Sequence, residues 1–276
     1  MTSRLHHPGK QGASTTGHDS FIRAKQEPSE PRQVLDRAWT LIRERRFSDA
    51  EEIVRGILAE NPRDKDALAT LLQLYTKAHK TGMAEQAFEE AQKAGLADAR
   101  LCSLMIRAYG RARDLRNALE IFDYATDNSL LDPKLTSAAI EACNLCDSIT
   151  DAEEVFAVAK ARGALDAFVF SAMMGFYDQF GEADRALALF NEAKGTLKPD
   201  KHMYTIAIGA CGRGGMLADA RRIFEEAVSE GKADSLTYTS MITSYRKRGK
   251  ISEARELFDR AEKEGLADSI MAAALR

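Results

Sequence analysis

Alanine stands at positions 50, 84, 118, 152, 186, 220 and 254, each 34 residues from the last, with no insertion anywhere. Four residues beyond each come Val54, Phe88, Phe122, Phe156, Phe190, Phe224 and Phe258. Three further on stand Ile57, Ala91, Ala125, Ala159, Ala193, Ala227 and Ala261. A fourth column is aspartate throughout: Asp64, Asp98, Asp132, Asp166, Asp200, Asp234 and Asp268. Chance does not hold four columns in one register over most of a chain. A strict period of this size is the signature of stacked units, none of which can bury its apolar face alone.

Each unit reads as two helices. In the last, Tyr238, Met241, Ile242 and Tyr245 follow the i, i+3, i+4, i+7 spacing of one helical face. Gly249 breaks that helix, Ala254, Leu257, Phe258 and Ala261 repeat the spacing, and Gly265 ends the second. The small alanines let the paired helices approach closely, and the phenylalanine fills the gap between neighbouring hairpins. The expected fold is all-α: a right-handed α–α superhelix, or solenoid, of seven 34-residue helix-turn-helix repeats. Their bounds are 31–64, 65–98, 99–132, 133–166, 167–200, 201–234 and 235–268. Residues 269–276 begin a further, C-terminal capping helix.

Composition agrees. Of 276 residues 45% are hydrophobic, enough for a sizeable core, and Ala and Leu dominate. No run of about 18 apolar residues occurs, so no membrane span is expected. The four cysteines sit in apolar helical patterns and suit a soluble, reducing, intracellular setting. Residues 1–30 differ: Met1–Phe21 is rich in Ser, Thr, Gly and His and has no acid before Asp19. That composition fits either a disordered tail or a targeting segment.

Two families of this period share the skeleton. The first unit ends Asn61-Pro62-Arg63-Asp64 and, with Ala50, resembles a tetratricopeptide repeat. The later units resemble pentatricopeptide repeats. The stretch Leu236 to Tyr245, then Gly249 and Glu253-Ala254-Arg255-Glu256-Leu257-Phe258, is close to that family's motif. Asp132-Pro133 and Lys198-Pro199-Asp200 match its repeat junctions. The resemblance implies that the first helices line a concave surface contacting single-stranded RNA, and that the second helices form the convex layer. It implies transcript processing, stability or translation as the setting. That setting is cytoplasmic in a bacterium and mitochondrial or plastid in a eukaryote.

Charge follows the same division. In the third to seventh units the first 16 residues hold 11 Lys/Arg and 5 Asp/Glu, whereas the remaining 18 hold 12 and 22. A total of −3 therefore conceals a basic first-helix side, which would suit a phosphate backbone. The phosphate or stacking candidates are Arg100, Arg107, Arg111, Lys134, Phe168, His202, Arg213, Arg246 and Lys247. Ordinary solvated helix surfaces carry such charges too.

The family reads one base per repeat with the fifth and the last residue of the unit. Mapped by resemblance, the pairs are Ser103 with Asp132, Ser137 with Asp166, Ser171 with Asp200, Thr205 with Asp234, and Thr239 with Asp268. The second unit has Ala69 with Asp98. A hydroxyl beside a carboxylate resembles the guanine-preferring class. Guanine presents two adjacent N–H donors that a carboxylate accepts together, while adenine presents an acceptor. The aspartates also precede helices and suit N-caps, and a cap and a base contact can use different oxygens. The 34-residue period, the first unit, and Ala where the family usually has Met fit a second reading. That reading is a scaffold whose groove holds a peptide or helix of a protein partner.

Other signals are weaker. Cys143 and Cys146 form a single C-x-x-C, and Cys143 occupies a column otherwise held by Tyr75, Tyr109, Tyr177, Cys211 and Tyr245, which reads as core. The glycines at 209, 212, 214 and 215 lack the Gly-Lys-Ser/Thr of a phosphate loop. The five histidines form no triad-like set. No enzyme activity, metal or cofactor is expected, and the oligomeric state is left open.

Overall fold

The computed structural model describes residues 30–275. The N-terminal tail or targeting segment therefore lies outside the described residues. Seven hairpins succeed one another: α1 (Glu30–Arg43) with α2 (Phe47–Glu60), α3 (Lys65–Lys77) with α4 (Thr81–Lys93), α5 (Ala99–Arg111) with α6 (Leu115–Asp127), and α7 (Pro133–Leu145) with α8 (Ile149–Ala161). Then come α9 (Ala167–Gln179) with α10 (Ala183–Thr196), α11 (Lys201–Gly214) with α12 (Leu217–Ser229), and α13 (Ser235–Lys247) with α14 (Ile251–Lys263), followed by α15 (Ser269–Leu275). There is no strand among the described residues. No described helix is long and apolar enough to cross a membrane.

Two layers result. Every first helix packs on the first helix of the next unit, from α1 on α3 through to α13 on α15. Each second helix lies across its own first helix and the following one, whereas successive second helices stand farther apart and meet through ion pairs, Lys160–Glu192 and Arg185–Glu153 between α8 and α10, Lys194–Glu226 between α10 and α12, and Arg260–Glu225 between α12 and α14. The tightly spaced first helices therefore form the inside of the curve and the second helices the outside.

The alanine columns explain the close packing within hairpins. All seven alanines from Ala50 to Ala254 are buried, as are Ala91, Ala125, Ala159, Ala193, Ala227 and Ala261. The phenylalanines interlock successive units. Phe156, Phe190 and Phe224 meet Phe170, Tyr204 and Tyr238 of the next unit edge-on, with ring centroids 5.4, 5.3 and 4.9 Å apart. Such edge-to-face pairs contribute about 1 kcal/mol beyond area burial.

A second seam ties each first helix to the preceding second helix. The Tyr75 hydroxyl donates to Glu51 at 2.7 Å and that of Tyr177 to Glu153 at 2.9 Å, while Arg221 donates to the Tyr245 hydroxyl at 3.4 Å. Where the tyrosine is replaced by Cys143 or Cys211, the position 24 residues earlier holds Leu119 or Leu187. Polar faces polar and apolar faces apolar, so no hydroxyl or carboxylate is stranded. Burial pushes the Cys143 thiol up to about 12 and that of Cys211 to about 11, as expected of inert core thiols.

The turns inside the hairpins share one device. Arg45, His79, Arg113 and Asp147, then Gly181, Gly215 and Gly249, all take positive φ at the same place in the unit. Glycine adopts this conformation freely, whereas the other four residues carry a cost of about 1 kcal/mol each.

Candidate nucleic-acid interface

The aspartate column is a column of helix N-caps. Oδ1 accepts a backbone N–H three residues on in each case: Asp98 from Leu101 at 3.0 Å, Asp132 from Leu135 at 2.7 Å, Asp166 from Val169 at 2.9 Å and Asp200 from Met203 at 2.9 Å. Asp234 accepts from Thr237 at 3.1 Å and Asp268 from Met271 at 2.7 Å. Each cap contributes about 1 kcal/mol to its helix. Every one of them uses the same oxygen and leaves Oδ2 to other partners. Among the described residues the Oδ2 atoms of Asp132, Asp166 and Asp200 have no hydrogen-bond or ion-pair partner.

The hydroxyl column lies one helical turn along, between adjacent first helices. Ser103 donates to the Ala99 carbonyl at 2.7 Å, Thr205 to that of Lys201 at 2.8 Å, and Thr239 to that of Ser235 at 2.8 Å. The Ser137 and Ser171 hydroxyls are buried without a partner. Hydroxyl and carboxylate of one unit come together most visibly in the sixth. There Thr205 Oγ1 lies 3.2 Å from Thr237 Oγ1, which donates to Asp234 Oδ1 at 3.0 Å.

The second position of each first helix forms an exposed stripe. Phe168 is 64% exposed and Leu236 60%; Arg100, Lys134 and His202 are exposed as well. The stripe continues to Ile270, 62% exposed on α15. Its 34-residue offset from Leu236 adds it to the same column as Arg100, Lys134, Phe168 and His202.

The basic residues divide into two groups. Arg100 pairs with Asp66, Arg107 with Glu141 at 3.8 Å, and Arg213 with Asp178 through Nε at 2.7 Å and a second contact. Each acid comes from a neighbouring first helix. Arg113 likewise pairs with Asp147 at 3.3 Å. Arg111, Lys134 and Lys247 have no ion-pair partner among the described residues. Arg246 has a buried Nε without a hydrogen-bond partner. The positive charge free to meet a ligand is thus smaller than the residue count suggests. No group of His, Cys, Asp and Glu among the described residues has a metal-binding arrangement.

The family model for the pentatricopeptide (PPR) repeat matches residues 100–128, 202–231 and 236–266. No curated protein matches the sequence. Among solved structures, the pentatricopeptide repeat protein PPR10 in complex with an 18-nucleotide psaJ RNA element has a TM-score of 0.68 at 17% identity. The match covers 92% of this chain and 38% of that one. PPR10 from maize has a TM-score of 0.61 at 23% identity, covering 90% of this chain and 36% of that one. The chain thus spans well under half the length of these relatives. Three units thus match the pentatricopeptide-repeat model, and the solenoid that carries them has the fold of PPR10.

Proposed function

We propose that the chain binds single-stranded RNA along its layer of first helices, one base per unit, with a preference for guanine. RNA processing, stability or translation is the setting such binding serves. The observation that carries the reading is the cap geometry. Each unit from the third to the seventh offers a hydroxyl at its fifth residue and a carboxylate at its last. Every cap bond is made by Oδ1. A second carboxylate oxygen per unit is what two adjacent N–H donors of a guanine edge require. The exposed Phe168, Leu236 and Ile270 offer surfaces on which bases stack, and Arg111, Lys134 and Lys247 offer charge to phosphates. The RNA complex of PPR10, a protein of the same fold, supports the reading.

A salt titration of binding to mixed-sequence single-stranded RNA tests it. Micromolar or tighter binding that weakens steeply with salt is expected, because neutralised phosphates release counterions. Guanine homopolymer should compete better than cytosine homopolymer. The ion pairing of Arg100, Arg107 and Arg213 favours a second reading, a groove for a peptide or helix of a protein partner. No RNA binding at low salt would leave that one standing.

A further inference from the structure

The first residue of each unit sits at the start of one first helix, beside the cap of the next. Where that residue can donate, it takes up the free carboxylate oxygen of the cap 33 residues on. Lys65 Nζ lies 3.2 Å from Asp98 Oδ2, and Lys201 Nζ lies 4.0 Å from Asp234 Oδ2. The Ser235 hydroxyl donates to Asp268 Oδ2. In the third, fourth and fifth units the first residue is Ala99, Pro133 or Ala167, whose side chains donate nothing. The Oδ2 atoms of Asp132, Asp166 and Asp200 are left unengaged as a result.

An independent feature falls in the same run. The Ser137 and Ser171 hydroxyls, on residues 3% and 4% exposed, have no hydrogen-bond partner. A buried hydroxyl left unpaired forfeits its hydration without recompense, and such groups mark places where another atom belongs. The fourth and fifth units therefore have both a free carboxylate oxygen and an unpaired hydroxyl.

We infer that the first residue of each unit determines whether that unit discriminates between bases, and that guanine selectivity is confined to three consecutive units, 99–132, 133–166 and 167–200. This rests on the RNA reading above. A lysine at the first position draws off the carboxylate charge that the guanine donors need, through a hydrogen bond at Lys65 and through ion pairing at Lys201. An exposed ion pair of this kind adds little to stability, but it competes for the same oxygen. The sixth and seventh units then bind a nucleotide with relaxed preference.

The test is selection of a short randomised RNA pool by the full chain, followed by sequencing of the retained RNA. The parent should enrich a motif with three adjacent constrained guanines, exchange of any one costing roughly tenfold in affinity, flanked by relaxed positions. Lys201→Ala should lengthen the constrained run to four, Lys201→Arg should leave it at three, and Ala99→Lys should shorten it to two. Five equally constrained positions in the parent, or a run unchanged by Lys201→Ala, overturns the inference and leaves RNA binding intact. Retention of no RNA at all overturns the RNA reading and this inference with it.

Discussion

Gly110 on α5 and Ala142 on α7 bring two first helices into backbone contact: a Cβ at position 110 would fall 2.8 Å from the Ala142 Cβ and 2.9 Å from its Cα. Alanine ordinarily stabilises a helix interior by about 1 kcal/mol over glycine. Here the clash is with backbone and outweighs that gain. Gly110→Ala is expected to destabilise the chain by about 2 kcal/mol. Gly56, exposed in the middle of α2 with nothing within 4 Å of its Cβ direction, is the control. Gly56→Ala should stabilise by about 0.5–1 kcal/mol. Urea unfolding of both variants checks the opposite signs.

The exposed cap Asp166 separates folding from reading. Asp166→Ala removes the bond to Val169 N and should cost about 1 kcal/mol in stability. Asp166→Asn keeps a good cap and nearly the parental stability, but replaces a carboxylate oxygen with an amide. Thermal melts should therefore show a loss for Ala only, and both variants should lose guanine preference at one nucleotide. Unchanged selectivity in the Asn variant would reduce the column to its capping role.

Ser129, just past the end of α6, has φ 57°. The equivalent positions in other units are Gly95, Gly163, Gly231 and Gly265, all with positive φ. Ser129→Gly removes a conformational cost of about 1–2 kcal/mol and returns about half of that through the freer unfolded chain. A net gain of about 0.5–1 kcal/mol in denaturant unfolding is expected.

The tyrosine seam sets the alkaline limit of stability. Burial, with the hydrogen bonds to Glu51 and Glu153, pushes Tyr75 and Tyr177 up to about 12. Both values lie above the ordinary 10.0, so the unfolded chain loses these protons first. Their contribution is intact below pH 10 and is lost as pH rises through about 12. Glu226 acts at the other end. Burial opposes its charge, but the bonds from Lys194 and Tyr204 prevail and hold its carboxyl below the ordinary 4.5. That contribution is present above pH 4.5 and fades as pH falls through the lowered value. Helix content followed across pH should show both losses. Tyr177→Phe should lose about 1 kcal/mol at neutral pH and show a smaller alkaline decline.

Much of this molecule was legible in its sequence because the columns that pack are also the columns that repeat. Ala50 to Ala254 and Phe88 to Phe224 announce the hairpins and their interlock, and the aspartates announce helix starts. What resisted reading depends on pairs of different residue types about one unit apart. Arg107 counts as free charge until Glu141 is placed beside it, and Arg213 until Asp178 is. Whether Asp98 differs from Asp132 depends on Lys65 and Ala99, on another helix. The full burial of Ser137 and Ser171 in a column where Ser103, Thr205 and Thr239 are only half-buried depends on how closely successive first helices approach. Periodicity reports what units share, and these features lie in what distinguishes one unit from the next.

The two-layer packing has a mechanical consequence. Because successive second helices meet through side-chain ion pairs such as Lys160–Glu192 and Arg260–Glu225 and not through close backbone packing, the outer rim is held more loosely than the inner one. The inner helices act as a backbone of nearly fixed spacing, like the bodies of vertebrae, while the outer ones can fan apart or close at little cost. Bending of the rod then leaves the separation between successive Asp–Ser/Thr stations almost constant, so the ruler survives flexing of the strip that carries it.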